Sequence, residues 1–345
     1  MNYFDSKKNT FSYFKSSAGN PNSLSSNTLK DIYFDERSEV LWIGSHLGGL
    51  DKLDTRTGRI TRVDLKTGNR SIDKYVRRIV PYKGKLLLGT HDGVQVFDPQ
   101  TQEVKALLPP DSPWGRGQVW DMLVDSRGVL WFSIKGEVAR HHLDENKTLP
   151  PLPELQVHNV VFFEDSKGQV WAGGAGKGLF RRDGAKWQWF SVQNSGLADN
   201  YILDIEESET GYILISTNKG LSRYNPSDQT FYNYDNHRFF PFEALNEKSI
   251  FVKKSGEIVL SSLSGLMVLK EKDLLYPPKP HAILFTALRL NNRIERPGGG
   301  VLEEAISGLS KISISERHSM LQIDFAVTNY IKAHNPQVEY MLEGF

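Results

Sequence analysis

The chain has 345 residues, and its 42 Lys and Arg residues balance 41 Asp and Glu residues, leaving a formal net charge of +1. This balance does not favour a nucleic-acid or membrane-surface partner, and the absence of cysteine excludes disulfides and cysteine-ligated zinc. No apolar run approaches the roughly 20 residues of a membrane-spanning helix, the first residues lack the apolar core of a signal peptide, and frequent glycine and aromatic residues favour an all-β protein.

The first 14 residues, MNYFDSKKNTFSYF, contain two short aromatic runs around a polar turn, which predicts a β-hairpin. The same pattern returns at residues 221–234, LSRYNPSDQTFYNY, as the second half of a longer unit. We therefore expect residues 1–14 to be the outer half of a further unit whose two inner strands are not in this sequence.

A repeated unit follows, marked by a glycine that opens a short β run. The glycine recurs every 42 to 45 residues, which is the period of a four-stranded propeller blade. The marker glycines are Gly49, Gly93, Gly136, Gly178, Gly220 and Gly265. The six units that they define span residues 28–63, 73–107, 117–150, 158–192, 199–234 and 242–276.

Each unit contains four β stretches separated by turns rich in Asp, Asn, Gly and Ser, as tight hairpins require. The sequence therefore predicts a β-propeller of four-stranded blades over residues 1–276, with six complete repeats and an N-terminal half blade. A closed propeller removes exposed sheet edges. The half blade either closes a ring of seven blades with strands absent from this sequence, or ends a preceding propeller and leaves a ring of six. We favour seven blades in the intact protein.

The glycine-rich stretch WAGGAGKGL at residues 171–179 has the composition of a phosphate-binding loop. Such a loop must be followed by a helix, and no helical pattern follows here. The stretch lies at the same position in its unit as LWIGSHLGGL at residues 41–50, and we interpret it as the turn between the second and third strands of a blade.

The pattern changes after Tyr276. Prolines at residues 277–280 predict an extended linker, and HAILFTALRLNN at residues 281–292 alternates like a strand. Residues 311–330 predict two strands around a turn, and residues 338–345 predict the beginning of another strand. The predicted domains are thus a propeller at 1–276 and an incomplete β-sandwich at 277–345, and we expect the chain to be a piece of a larger protein.

Both parts resemble one protein family. The stretch LWIGSHLGGLDKLDTRTGRITRV resembles the two-component regulator propeller repeat, and VDSRGVLWFSI and EDSKGQVWAGG fit the same pattern. MLQIDFAVTNY and EYMLEGF resemble the immunoglobulin-like Y_Y_Y domain that follows such propellers. This pairing is similar to the extracytoplasmic sensor region of hybrid two-component systems, in which the sandwich leads to a membrane helix and a histidine kinase.

The resemblance implies a non-catalytic periplasmic sensor that binds an oligosaccharide and acts as a homodimer in the intact receptor. It implies no cofactor and no nucleic-acid partner, and it implies membrane contact only through C-terminal segments outside this chain. The proposed signal is a ligand-dependent change in the arrangement of propeller and sandwich. A spacer or dimerisation propeller, with the ligand site elsewhere, is a second possibility.

One face of the predicted propeller contains more of the aromatic and polar side chains that could bind a ligand. It is formed by the loops between blades and by the turns between second and third strands. Sugars bind to aromatic platforms flanked by hydrogen-bonding groups, and acidic sugars also require Arg or Lys. The candidate ligand-binding residues on this face are Trp114, Arg116, His46, His91, Arg238 and Phe239. By contrast, Trp42, Trp131 and Trp171 recur at one strand position, which predicts packing between blades.

A polysaccharide lyase or glycosidase on the same fold is the enzymatic alternative. The sialidase Asp-box is not matched, because Ser126 and Ser166 occupy its aspartate position. A glycosidase needs two converging carboxylates, and the sequence alone does not show convergence. His141 and His142 are adjacent on a predicted strand and point to opposite faces, so we expect no metal site there. We predict no catalytic residues.

Overall fold

The computed structural model describes all residues except 6, 7, 9, 68, 69, 72, 73, 156, 185, 236–243, 276–282 and 328–345. The chain forms two compact units, Met1–Glu271 and Lys272–Phe345. The predicted linker prolines and the predicted boundary at residue 276 lie outside the described residues.

Five antiparallel sheets of four strands follow one another in the first unit, each with its strands in chain order. Blade 1 contains β3 (Leu29–Asp35), β4 (Val40–Ser45), β5 (Gly49–Asp54) and β6 (Ile60–Val63). Blade 2 contains β9 (Val76–Tyr82), β10 (Lys85–Thr90), β11 (Gly93–Phe97) and β12 (Val104–Ala106), after a small hairpin of β7 (Lys66–Thr67) and β8 (Arg70–Ser71).

Blades 3 to 5 repeat this plan. Blade 3 contains β13 (Val119–Val124), β14 (Val129–Ile134), β15 (Glu137–His142) and β16 (Lys147–Thr148), and a 3-10 turn (Pro153–Leu155) follows it. Blade 4 contains β17 (Val161–Glu164), β18 (Val170–Gly174), β19 (Gly178–Asp183) and β20 (Lys186–Phe190). Blade 5 contains β21 (Ile202–Glu207), β22 (Ile213–Thr217), β23 (Gly220–Asn225) and β24 (Thr230–Asp235).

Blade 6 differs from the prediction of a complete four-stranded repeat. It contains β25 (Leu245–Val252), β26 (Glu257–Ser262) and β27 (Gly265–Lys270), and α1 (Glu271–Leu275) replaces the fourth strand. The segment EKDLL lacks the alternation of a strand. Ser208 Oγ donates to Glu271 Oε1 at 2.6 Å, which joins the last residue of the first unit to blade 5.

The first strands of consecutive blades lie side by side, β3 against β9 and so on to β25. The blades therefore surround a common centre, and the predicted all-β propeller of four-stranded blades is confirmed. The N-terminal hairpin, β1 (Asn2–Asp5) with β2 (Thr10–Tyr13), forms a two-stranded sheet of its own. The glycine-rich residues 175–177 form the turn between β18 and β19, as the interpretation as a blade turn requires.

Small residues in the second strands allow neighbouring blades to approach closely. A Cβ on Gly44 would lie 2.7 Å from the carbonyl oxygen of Val76 in blade 2, and one on Gly173 would lie 2.7 Å from Cβ of Ile202 in blade 5. Ser216 occupies the same position in blade 5, and Ser249 of blade 6 donates to its hydroxyl at 2.9 Å. Glycine or serine stands at this position in every blade.

The main apolar clusters fill the spaces between adjacent blades. Trp131 and Trp171 are fully buried and Trp42 is 5 % exposed, which agrees with the predicted packing role. Trp171 lies in a cluster with Ile202 and Tyr224 of blade 5. Burial of large aromatic surfaces between sheets is a major source of propeller stability.

An aspartate organises the turn before each of two buried tryptophans. Asp125 Oδ2 accepts the indole N–H of Trp131 at 2.9 Å, while Oδ1 accepts the backbone N–H groups of Arg127 and Val129. Asp165 makes the same contacts, including 2.8 Å to the indole of Trp171. The D-x-x-G-x-x-W pattern therefore has a structural role in both blades, where it holds the turn and the tryptophan together.

The second unit contains a three-stranded antiparallel sheet in the order β29 (Arg293–Ile294), β28 (Ile283–Leu290), β30 (Leu321–Val327), with a 3-10 turn (Ile306–Gly308) between β29 and β30. Of the two strands predicted within 311–330, only the second forms. Residues 311–315 are mostly exposed and pair with no described strand. The predicted strand at 338–345 lies outside the described residues. No described helix has the length and apolar character to cross a membrane.

Candidate binding site at the centre of the ring

A cavity of about 480 Å³ lies where the first strands of all six blades begin. Its lining includes Lys30 of blade 1, Arg77 of blade 2, Trp120 of blade 3, Asn159 before blade 4 and Tyr201 before blade 5. Blade 6 contributes Asn246, Glu247 and Lys248. Because first strands begin where the loops between blades end, the cavity opens on the face that the sequence marked as chemically rich.

Acidic and basic side chains form a continuous chain along this cavity. Arg78 Nη1 lies 3.1 Å from Asp31 Oδ2, and Arg78 Nε lies 2.5 Å from Asp121 Oδ1 as an ion pair without hydrogen-bond geometry. Lys248 Nζ lies 2.8 Å from Asp121 Oδ2 and 3.7 Å from Asp204 Oδ1. The order Asp31, Arg78, Asp121, Lys248, Asp204 thus joins blades 1, 2, 3, 6 and 5, and we call it the charge chain.

The three aspartates of the charge chain also hold neighbouring blades together. Asp31 accepts the backbone N–H of Ile79 at 2.8 Å, and Asp121 accepts that of Phe162 at 2.9 Å. Asp204 accepts the backbone N–H of Ile250 at 3.0 Å. Each carboxylate therefore satisfies a donor in the first strand of the following blade, which assigns all three a structural role.

Burial and nearby charges shift the pKa values of the carboxyl groups in this region in different directions. Burial raises the pKa of both Asp31 and Asp204, against the attraction of the nearby cations. Burial opposes ionisation of Asp121 too, but Arg78 and Lys248 outweigh it and hold its pKa below the usual value. Burial, reinforced by the charge of Asp204, raises the pKa of Glu206 to about 8, so this carboxyl is protonated at neutral pH.

Arg77 and Trp120 stack against each other in the cavity lining. The Arg77 guanidinium lies 3.4 Å from the centre of the Trp120 ring, and Arg77 Nε donates to the Trp120 carbonyl oxygen at 3.1 Å. Arg77 Nη2 lies 3.1 Å from Glu247 Oε2 of blade 6. The indole remains only half-buried. The pair offers an aromatic surface with a fixed cation beside it.

Two further cavities adjoin the first. One, of about 360 Å³, shares Lys30 and Arg77 with it and is lined by His46, Tyr75 and His91. Tyr75 stacks on His91 with ring centres 4.0 Å apart, and it meets His46 edge-on at 4.3 Å. The structure thus brings together two of the residues proposed from sequence, through an aromatic residue that the sequence did not single out.

The other cavity, of about 340 Å³, shares Trp120 and Asn159 with the central one and contains Lys135 and His158. Trp120 therefore borders two cavities. Gln118 borders both outer cavities. Shared lining residues link the three cavities, which we together call the central groove.

Two further sequence candidates, Trp114 and Arg116, do not line these cavities. Trp114 is 9 % exposed, packs in the apolar cluster of blades 2 and 3, and donates its indole N–H to Glu137 Oε2 at 2.9 Å. Arg116 is exposed on the same loop but does not line the three cavities. Arg238 and Phe239 lie outside the described residues.

Sequence reasoning missed Arg77, Trp120, Tyr75 and Tyr201. All four lie at or just before the start of a first strand. This position follows directly from the repeat, so the available signal was the start of each first strand, from the residue before it to its second residue, rather than the middle of each loop. Among the described residues, no group of three or more His, Asp or Glu side chains is placed to hold a metal ion.

Comparison with known proteins supports a sensor relationship. No protein-family model matches the chain. It is 20 % identical to histidine kinase P4 of Formosa agariphila, over 89 % of this chain and 24 % of that protein. It is also similar to the extracellular domain of the putative hybrid two-component system BT3049 of B. thetaiotaomicron, with a TM-score of 0.69 and 25 % identity over 88 % of this chain and 42 % of that one.

A second extracellular domain, that of the putative hybrid two-component system BT4673 of B. thetaiotaomicron, has the same fold with a TM-score of 0.60 and 18 % identity. It is matched over 86 % of this chain and 40 % of its own length. The chain thus spans about a quarter of the curated relative and less than half of these extracellular domains. The resemblance to the extracytoplasmic sensor region of hybrid two-component systems is confirmed.

Proposed function

We propose that this chain is a non-catalytic periplasmic sensor domain of a hybrid two-component histidine kinase, and that it binds an oligosaccharide in the central groove. Binding favours one arrangement of the receptor, and the signal passes through residues 272–345 to a transmembrane kinase outside this chain. The homodimer expected of the intact receptor is part of this proposal.

The half-buried ring of Trp120 is the observation that carries the proposal. It borders two of the three cavities, and Arg77 fixes its orientation by stacking at 3.4 Å. A sugar ring presents apolar C–H groups on its faces and hydroxyls at its edge. Trp120 matches the first, while Asn159 and Lys30 on the cavity lining match the second. Tyr75 with His46 and His91 provides a second aromatic position for a longer oligosaccharide.

The enzymatic alternative has one observation in its favour, since Glu206 is protonated beside Asp204 in the manner of a carboxyl pair. Asp204, however, accepts the backbone N–H of Ile250 and is an ion-pair partner of Lys248. Glu206 does not line the three cavities described. A general acid has to reach the bond that it protonates, so the geometry supports binding without catalysis.

The test is calorimetric titration of the chain with a panel of defined oligosaccharides, with chromatography of the mixture for released products. We expect one oligosaccharide to bind, and Trp120→Ala to weaken its binding by about 10-fold or more. Trp189→Ala is the matched control, because Trp189 is 50 % exposed on an outer strand. Both variants should keep the melting temperature of the parent chain to within about 3 °C.

Three outcomes would contradict the proposal. Released products would establish an enzyme. Binding that survives Trp120→Ala unchanged would place the ligand outside the groove. A lack of binding to every oligosaccharide in the panel, by a chain that melts cooperatively, would favour the spacer or dimerisation role.

A further inference from the structure

Trp120 lies between two cavities of the central groove. It lines the central cavity together with Arg77, and it also lines the cavity of about 340 Å³, to which Arg77 does not contribute. The Arg77 guanidinium lies 3.4 Å from the centre of the indole ring, so one face of that ring is already covered. A ligand ring therefore has the other face for stacking. We call the 340 Å³ cavity, which contains Lys135 and His158, the Lys135 cavity.

The side chain of Lys135 is held at this cavity. Its Nζ donates to the carbonyl oxygen of Pro113 at 3.0 Å. Its methylene chain lies close to Gly117, where an added Cβ would be 2.8 Å from Cε of the lysine. The lysine is nevertheless exposed, and an ammonium group has three donors, so donors remain for a ligand. Lys135 thus presents a cation in a fixed place.

Further hydrogen-bonding groups surround this cation. His158 lies against the backbone of Gly136, where an added Cβ would be 2.7 Å from Cε1 of the imidazole ring. The φ of Gly136 is 80°, so the close contact and the left-handed backbone both favour glycine here. Gln118 and Asn159 complete the polar part of the lining. Side chains of these types hydrogen-bond the hydroxyl groups of a sugar.

The carboxylates of the groove lie in the central cavity, and each is already paired with a cation. Asp121 Oδ2 lies 2.8 Å from Lys248 Nζ. Glu247 Oε2 lies 3.1 Å from Arg77 Nη2. Among the described residues, the lining of the Lys135 cavity contains no Asp or Glu, and Lys135 forms no ion pair with a described carboxylate. Its positive charge is therefore available to an anionic ligand.

The cavity of about 360 Å³ has the same charge pattern. It is lined by Lys30, His46 and His91, and the described part of its lining includes no acidic side chain. The chain as a whole has a formal net charge of only +1. Positive charge without a matching carboxylate is thus concentrated in the two outer cavities of the central groove, which favours a ligand with more than one acidic group.

We propose that the oligosaccharide is acidic, with one sugar unit stacked on the uncovered face of Trp120 and its carboxylate or sulfate group bound by Lys135. This inference rests on the proposed function and names the chemical class of its ligand. The indole contacts the apolar face of the sugar, Lys135 Nζ donates to the anionic oxygens, and His158 and Asn159 bind neighbouring hydroxyls. A second acidic unit of the same oligosaccharide binds Lys30.

The experiment is calorimetric titration of the chain with tetrasaccharides that are matched in all but charge. Tetrasaccharides of galacturonate, glucuronate and mannuronate are compared with their methyl esters, and sulfated galactans are compared with their desulfated forms. We expect one acidic member to bind about 10-fold or more tightly than its neutral form, and to lose affinity as NaCl rises from about 50 to about 500 mM. The carboxylate and sulfate members then identify which acidic group is bound.

Lys135→Gln should weaken binding of that acidic tetrasaccharide by about 5-fold or more and reduce its salt dependence, while binding of the neutral form stays unchanged. Lys177→Gln is the matched control and should leave all of these values unchanged. Lys177 also precedes the marker glycine of its blade and is exposed, but it does not line the three cavities. Both variants should melt like the parent chain, because both lysines are exposed.

Equal affinities for each acidic tetrasaccharide and its neutral form would overturn this inference and leave the proposed function intact. An acidic preference that Lys135→Gln does not change would also overturn it, because the acidic group would then be bound elsewhere. Failure of every tetrasaccharide to bind, acidic or neutral, would overturn this inference together with the proposed function.

Discussion

Lys248 of blade 6 places its Nζ 2.8 Å from Oδ2 of Asp121 in blade 3, across the centre of the ring. Asp121 is 1 % exposed and also faces Arg78 of blade 2. Removal of one member of a buried ion pair leaves the others without compensation. The charge chain therefore ties distant blades together, and its central carboxylate should be the most sensitive member.

We expect Asp121→Asn to lower the free energy of unfolding by about 3 kcal/mol or more, because Arg78 and Lys248 lose their shared counter-charge in a buried site. Urea unfolding monitored by tryptophan fluorescence measures this. Asp144→Asn is the control. Asp144 pairs with Lys83 at 2.5 Å with both side chains more than half exposed, so its loss should leave the free energy of unfolding nearly unchanged.

The carboxyl of Glu206 should make stability depend on pH. Its folded pKa of about 8 lies above the value of the unfolded chain, so the folded state retains a proton that the unfolded state releases. Stability from this group is fully present below about pH 4.5 and falls as the pH rises towards 8. Glu206→Gln should remove up to about 1.4 kcal/mol per pH unit from the slope over this interval and stabilise the protein at pH 8. An unchanged slope, measured by denaturant titration at several pH values, would show that Glu206 ionises normally.

The aspartate before each buried tryptophan should matter through its hydrogen bonds. Asp165→Ala deprives the buried indole N–H of Trp171 and two backbone N–H groups of their acceptor. We expect a loss of about 2–3 kcal/mol in chemical unfolding. Asp98 accepts two backbone N–H groups in an exposed turn without an indole partner. Asp98→Ala should lower the free energy of unfolding much less than Asp165→Ala does, and equal losses for the two changes would contradict the importance of the indole contact.

Trp171 and Trp189 give a matched pair of positions on blade 4. Trp171 is fully buried between blades, and Trp189 is half exposed on β20. Trp171→Ala should cost about 3–5 kcal/mol because a cavity remains between the blades. Trp189→Ala should lower the free energy of unfolding by about 1 kcal/mol at most, because the main contact it removes is the indole hydrogen bond to the Lys177 carbonyl oxygen. Calorimetric melting of the two variants provides the comparison.

Variants of the aromatic residues Tyr75 and Trp114 should affect different properties, ligand binding for Tyr75 and stability for Trp114. Tyr75 lines a cavity between His46 and His91, so Tyr75→Ala should weaken binding of the oligosaccharide identified by titration, by about 5-fold or more, with little change in melting temperature. Trp114 is buried against Glu137, so Trp114→Ala should lower the melting temperature. A direct role of Trp114 in binding would appear as weaker binding by a variant of unchanged stability.

The repeat made the fold predictable, because the marker glycines fix blade spacing and the strand position of Trp42, Trp131 and Trp171 fixes the side that is buried. The second unit was harder, since residues 311–315 alternate like a strand and yet pair with no described strand. The sixth blade differs from the predicted four-stranded repeat for a local reason, because Glu271 accepts a hydrogen bond from Ser208 of blade 5.

The candidate site was only partly predictable. His46 and His91 were found because they occupy equivalent turns, and the structure places them around one tyrosine. Arg77 and Glu247 are 170 residues apart, and their 3.1 Å contact depends on the way the ring brings blades 2 and 6 together. A sequence pattern describes each blade separately, so it contains no information on which side chains converge at the centre.

The small residues at the Gly44, Gly173 and Ser216 position have a geometrical consequence. They set how closely the second strand of one blade approaches the first strand of the next, and so they set the angle between adjacent blades. That angle determines the curvature of the ring and how many blades complete the circle. A larger side chain at this position in every repeat would push neighbouring blades apart and widen that angle, so fewer blades would complete the circle.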